Sequence, residues 1–361
     1  MPIDFPNSPT LNEIYTYSGK TWIWNGTSWQ SQTSTTASSA TNLAGGAAGT
    51  IPYQSASGTT SMLSAGTSGQ ILRSNGTSEP SWEAQGLFSS GRLTLESGVA
   101  VSTTDQSVKT TMYYTPYNGD KISLYDGTNW ATYTFSQISQ PLGTLSPTTN
   151  YDIFLYNNSG TLTLEFTAWL NDSTRNTALV LTNGVYLKSG ALTRRYLGTF
   201  RTVNSTNTED SNLKRLLWNY NNRVSRMLYR QWISSTWTYN VTNTYRYLGG
   251  NPGNSFAFVN GIQEDNIFIV AAAGSAGSGI QRQLAIGFNA EWTATLVGNS
   301  SSQYEATAVQ AEVSNETYQA FANRIPAIGS HVVYAIELQN STTTVNYFGG
   351  AESGMSANWR C

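Results

Sequence analysis

Charge is scarce in this chain. Asp, Glu, Lys and Arg make up 11% of its 361 residues, against about 25% in an average soluble protein. The formal net charge is −2. No positive field draws nucleic acid or an anionic membrane surface, and neither is an expected partner. Histidine occurs once, at His331, and cysteine once, at Cys361. A single cysteine excludes an intrachain disulfide framework. One histidine and one cysteine cannot furnish a structural zinc site. The most apolar stretch, Ile267 to Ala273, falls far short of the ~18 residues of a membrane span and reads as a buried strand. Met1-Pro2-Ile3-Asp4 lacks the basic-then-apolar pattern of a secretory leader, so none is expected. No Walker loop, dinucleotide-binding glycine pattern or calcium loop is present. No cofactor and no metal are expected.

What the chain has instead is neutral polarity and aromatic rings. It contains 11 Trp and 21 Tyr. A disordered polymer would lack that apolar content, and Tyr, Trp, Thr and Val favour the pleated surface of a sheet. The expected fold class is all-β.

Three regions differ in texture. In residues 1–30, Ile14 to Tyr17 and Thr21 to Trp24 flank Ser18-Gly19, and Asn25-Gly26 precedes Trp29. This predicts a small hairpin module, with Asn-Gly as a two-residue turn. Thirty residues cannot bury Phe5, Trp22, Trp24 and Trp29 alone, so these four are the candidate attachment residues. Residues 31–85 are rich in Ser, Thr, Gly and Ala, and 31–72 carry no charge. A flexible linker is one reading. Ile51, Tyr53, Met62, Leu63, Ile71 and Leu72 punctuate the stretch, which favours a thin shaft whose core is shared among copies. From residue 86 to 361, short alternating stretches recur between turns such as Asn118-Gly119 and Asn183-Gly184. That spacing predicts an antiparallel β-sandwich, jelly-roll-like body. Helical pattern is expected only at Asn315 to Asn323 and Asp210 to Leu217.

Catalytic signals are weak. His331 sits at the start of a strand pattern, and no Gly-x-Ser-x-Gly elbow precedes a helix. Paired carboxylates could cleave a glycosidic bond. Glu165, Asp172, Glu264, Asp265, Glu305, Glu312 and Glu337 are the acids available to such a pair. Some pair can always be found among so many, and no catalytic residue is assigned. Between Arg194 and Arg230 there are eight basic residues and only two acidic ones. A nucleic-acid patch is one reading. Arginines stacked on aromatics and paired to carboxylates across subunits is the other, and the favoured one. Trp237, Tyr239, Tyr245 and Tyr247 combine aromatic faces with neutral polar neighbours, as a receptor or sugar site would. The competing reading places them in the core.

Several stretches resemble known virion proteins. Ile3-Asp4-Phe5-Pro6-Asn7-Ser8-Pro9 followed by Thr21-Trp22-Ile23-Trp24-Asn25-Gly26-Thr27-Ser28-Trp29 resembles the N-terminal module of phage fibre proteins, notably of cyanophages. Gly49-Thr50-Ile51-Pro52-Tyr53-Gln54-Ser55 through Gly69-Gln70-Ile71-Leu72 is similar to their shaft repeat. Tyr114-Thr115-Pro116-Tyr117, Arg194-Arg195-Tyr196-Leu197-Gly198-Thr199-Phe200 and Trp218-Asn219-Tyr220-Asn221-Asn222-Arg223-Val224 resemble a C-terminal domain widespread in phages. The resemblance implies a non-enzymatic homotrimeric tail fibre. It would be anchored to other virion proteins by its N-terminus and present its body to a host-surface glycan or protein. A capsid- or neck-attached virion fibre and a polysaccharide-degrading tailspike are the alternatives.

Overall fold

The computed structural model describes residues 3–32, 46–84, 86–242, 244–276, 282–289, 304–310, 316–349 and 353–361. The chain divides into two compact units, Met1–Glu83 and Ala84–Cys361. Both are built of strands. The described residues contain no α-helix, only a 3-10 turn at Leu248–Gly250.

In the first unit, β1 (Ile14–Tyr17), β2 (Lys20–Trp24) and β3 (Trp29–Gln32) form an antiparallel meander with β2 in the middle. Ser18 and Gly19 both take positive φ, as a tight two-residue hairpin requires. The second turn differs from the Asn-Gly expectation. Trp24 pairs with Trp29 across four residues. The Asn25 side chain accepts hydrogen bonds from the Thr27 and Ser28 amides at 2.9 and 2.8 Å. An Asx turn replaces the two-residue hairpin, because the side chain of Asn25 does the work of backbone. Two further hairpins follow, β4 (Ile51–Ala56) with β5 (Thr59–Leu63) and β6 (Gln70–Asn75) with β7 (Ser78–Ala84). Residues 51–84 are therefore largely ordered strand, although Leu63 is the one buried apolar side chain described in this unit. Residues 33–45 of the expected shaft lie outside the described residues.

The second unit opens with β8 (Gly91–Thr94), β9 (Gln106–Lys109), β10 (Thr111–Pro116), β11 (Lys121–Tyr125), β12 (Trp130–Thr134) and β13 (Ile138–Pro141). Then come β14 (Asn150–Asn158), β15 (Thr161–Ala168), β16 (Leu179–Thr182), β17 (Val185–Lys188) and β18 (Ala191–Arg201). Short strands β19 (Thr208–Asp210), β20 (Lys214–Arg215) and β21 (Leu217–Asn219) close this half. The sheet β15-β14-β18-β17-β16 packs against β13-β10-β8 and β11-β12. Leu93, Met112, Tyr114, Ile122, Ile153, Leu155 and Phe200 form the core between them.

The remaining strands are β22 (Ser225–Gln231), β23 (Thr236–Tyr239), β24 (Arg246–Tyr247), β25 (Ser255–Asn260), β26 (Ile267–Ala276), β27 (Arg282–Phe288), β28 (Tyr304–Gln310), β29 (Glu316–Arg324), β30 (Gly329–Gln339), β31 (Val345–Phe348) and β32 (Gly354–Arg360). Three pairs behave as interrupted single strands. β24 and β25 lie end to end along β30, β31 and β32 along β26, and β22 and β23 along β32 and β31. Counted that way, eight strands form two sheets with orders 1-8-3-6 and 2-7-4-5. This is jelly-roll topology. The second sheet continues through β20, β19 and β9, which come from the first half of the unit.

One sandwich was expected, and among the described residues there are two large cores, which share β14, and a small third cluster of Tyr245, Ala285, Ile336 and Leu338. Residues Asn150 to Leu155 are all buried, with Ile153 and Leu155 in the first core and Phe154 in the second. Strand alternation sends successive side chains to opposite faces, and here both faces are covered. Both expected helices are strands. Tyr318, Ala320 and Ala322 point inward with period two on β29, and a helix would scatter them. Asp210 to Leu217 is a strand, a turn and a strand, held by the Arg215–Asp210 ion pair at 3.0 Å.

Candidate functional site

The N-terminal meander carries its rings on one face. Phe5 stacks on Trp29 at 5.3 Å and meets Trp22 edge-on at 5.4 Å. Tyr15 lies 5.9 Å from Trp29, and Trp24 lies 5.6 Å from Trp29. All four predicted attachment residues are thus in one cluster, together with Tyr15, which the sequence reading did not single out. None of residues 3–32 is buried, and Leu11 and Ile14 are 67% and 60% exposed. Such a ring cluster with no interior of its own is suited to being covered by another molecule.

The second candidate group lies in the jelly roll. Tyr239 and Tyr245 are buried, while Trp237 and Tyr247 are half-buried. Trp237 stacks nearly parallel on Tyr347 at 5.7 Å. Its indole N–H donates to Glu337 at 2.8 Å. Glu337 is fully buried and also accepts from Arg246 Nε at 2.7 Å and from the Gly249 amide at 3.1 Å. Arg246 lies 4.0 Å over the Tyr239 ring. Burial pushes the Glu337 carboxyl above its usual range, against the pull of Arg246 and the indole. Tyr239 donates to the Thr244 carbonyl and Tyr245 donates to Gln283. Trp237 and Tyr239 do share a face of their strand, and that face points inward. Trp237 and, through Arg246, Tyr239 are organised around a carboxylate about a hundred residues later in the chain, whereas Tyr245 and Tyr247 pack in a separate cluster with Ala285, Ile336 and Leu338.

Six of the eight residues of the basic cluster are ion-paired within the chain itself. Arg194 reaches Glu165 at 3.3 Å, Arg201 reaches Asp172 at 2.7 Å and Lys214 reaches Glu209 at 3.3 Å. Arg215 and Arg226 share Asp210, and Arg223 holds both Glu264 and Asp265. Arg195 and Arg230 donate instead to carbonyls, of Phe88 and Ser123 and of Gly253. Stacking on aromatics, part of the favoured reading, is present at Tyr156 for Arg194 and Trp218 for Arg223. The carboxylate partners described are all in the same chain.

Five of the seven candidate acids are therefore placed: Glu165, Asp172, Glu264 and Asp265 in ion pairs with arginine, and Glu337 in the buried network. The Glu305 and Glu312 side chains lie outside the described ones. Among the described residues no group of three or more His, Cys, Asp or Glu could hold a metal. His331 is buried, accepts from Asn289 at Nδ1 (3.0 Å) and donates from Nε2 to the Ala327 carbonyl (2.8 Å). Burial lowers its pKa, which keeps it neutral. Cys361 is also buried, and burial pushes its thiol up to about 11.

No family model and no curated protein matches the sequence. Among solved structures, the chain is similar to a glycoside hydrolase family 43 arabinoxylan arabinofuranohydrolase from Bacillus subtilis, at 12% identity and TM-score 0.21, covering 79% of this chain and 57% of that one. A Cry1Da tryptic core variant from Bacillus thuringiensis gives 8% identity and TM-score 0.20 over 70% and 48% of the two chains. An exo-β-1,3-galactanase from Phanerochaete chrysosporium gives 8% and 0.19 over 96% and 91%. The chain spans about half the length of the first two. At these scores the likenesses carry no argument about fold or function.

Proposed function

We propose that this chain is a structural virion fibre protein of a bacterial virus, a homotrimer anchored through its N-terminal module, with residues 84–361 serving host-surface attachment. The observation that carries the reading is the aromatic cluster of Phe5, Tyr15, Trp22 and Trp29, on a meander without a buried residue. Such a module gains its stability from what it docks against. The sequence resemblance points to a virion partner.

Self-association is supported by the outer face of the 1-8-3-6 sheet. The outward residues of β22, β23, β26, β29, β31 and β32 include one charged side chain, Arg360, among those described. Phe268 and Phe321 stack on that face at 6.2 Å and are 48% and 49% exposed. A face of this kind meets another copy without desolvating charge.

The deciding experiment is removal of residues 1–30. Particles are expected to lose the protein while its C-terminal unit stays folded, and continued incorporation would overturn the polarity. Antibody labelling of intact particles separates a tail fibre from a capsid or neck fibre. The tailspike alternative predicts new reducing ends when purified protein meets host polysaccharide.

A further inference from the structure

A cleft of about 780 Å3 opens in the C-terminal unit where its two halves meet. Its size lies within the range of small-ligand sites, roughly 300–1,000 Å3. The floor is the outer face of the 2-7-4-5 sheet. Lys214, Ala257 and Val332 stand there side by side in register on β20, β25 and β30. Ala257 and Val332 are small, so beside Lys214 the floor is flat and apolar. One wall is the Arg201–Asp172 ion pair, reaching over from the first half. The opposite wall is formed by Tyr247 and Tyr334, whose rings lie 4.9 Å apart. Both are half-buried, and among the described residues neither phenol has a hydrogen-bond partner.

The chemistry narrows the occupant. Asp172 is balanced by Arg201, Lys214 by Glu209, and the His331 ring beneath is neutral and engaged at both nitrogens. Each charged side chain of the lining is thus ion-paired, Lys214 to Glu209 outside the cleft, and offers a polyanion little free charge. An added peptide strand needs an open sheet edge, and β25 is already paired on both sides, to β20 and β30. What remains is a flat apolar floor, two tyrosine rings with free hydroxyls, and charged donors and acceptors at the far wall. Those are the parts that recognise a pyranose, whose C–H faces lie on rings and whose hydroxyls find polar groups.

We infer that this cleft is a saccharide site that takes an uncharged segment of a glycan chain. The inference deepens the attachment reading and rests on it for the source of the glycan. The test uses the full-length protein on an array of neutral gluco-, galacto- and manno-oligosaccharides beside uronate-bearing and phosphorylated ones. A neutral series is expected to bind. Tyr334→Ala and Tyr247→Ala should each weaken it about tenfold or more, while Val180→Ala, at an exposed position away from the cleft, leaves it unchanged. Should the tyrosine variants lose their unfolding transition, Ala257→Trp fills the floor from the solvent side and should abolish binding in a folded protein. Binding of anionic glycans alone, no binding at millimolar saccharide, or unchanged affinity in folded Tyr334→Ala or Ala257→Trp overturns the inference. Glycan binding by a protein absent from particles would overturn the virion reading and leave the cleft standing. Incorporation into particles without glycan binding would do the reverse.

Discussion

Glu337 shows how much a single residue can organise. Its carboxylate is fully buried among three donors from Trp237, Arg246 and Gly249. Glu337→Ala leaves Arg246 and the indole N–H without their acceptor, and removing one partner of a buried pair costs about 3–5 kcal/mol. The urea midpoint of the C-terminal unit should fall accordingly, and Glu337→Gln should fall less, because the amide oxygen still accepts. His331 makes a pH-dependent contribution. Its folded pKa is lowered by burial, so its neutral form stabilises the fold above the unfolded value near ~6.5. That contribution is lost as pH drops from there through the lowered folded value. Melting temperature followed across that window should decline less in His331→Gln than in the parent. At this scale the sequence was partly legible. Aromatic clusters at residues 5–29 and 237–247 can be seen in it. Glu337 could not be assigned to Trp237, because a hundred residues separate them and only the fold closes that distance.

At the scale of elements, period two was a good guide where one face meets water. The apolar stretch from Ile267 to Ala273 does lie in a buried strand, with Ile267, Ile269, Ala271 and Ala273 inward. The guide failed at β29, where Ala320 and Ala322 resemble helix formers until their partners on β26 are known. It was incomplete at β14. Asp152 interrupts the apolar run, so the strand reads as having a wet side. In the fold, Arg175 Nε meets that carboxylate at 2.7 Å and Thr199 donates to it at 2.7 Å, and the side is dry. Because β14 serves two cores, neighbouring substitutions strike different ones. Ile153→Ala should cost about 2–5 kcal/mol and Phe154→Ala about 3–5 kcal/mol. Their effects should nearly add in a double-mutant cycle read by chemical denaturation, since the side chains point to opposite faces. Gly198 on β18 has a related constraint. A Cβ there would stand 2.1 Å from the Trp218 carbonyl oxygen on β21. Gly198→Val should therefore abolish cooperative unfolding of the C-terminal unit in calorimetry.

For the whole molecule, the all-β class and the jelly-roll character of the C-terminal half were readable from turn spacing. The second core was not, because spacing counts strands without saying which sheets share one. The trimer proposal predicts a particle of about three times 39.3 kDa by light scattering after size exclusion. Phe321→Asp, placed on the charge-poor outer sheet face, should shift that mass toward the monomer without unfolding the chain. A monomeric parent protein would remove the proposal.

The jelly-roll sheet that β20, β19 and β9 extend has a consequence for inheritance. β9, β19 and β20 are laid down before residue 224, yet they finish a sheet begun by β25 and β30. Two arginines tie the halves further, Arg175 donating to the Gly261 carbonyl and Arg92 to that of Cys361, both at 2.6 Å. A recombination breakpoint near residue 224 would hand a descendant a jelly roll with a raw sheet edge and two guanidinium groups that each lose a carbonyl partner. A breakpoint near Ala84 hands on a finished object. Lineages that trade this body are expected to trade it whole, and sequence mosaics should break at its start rather than inside it.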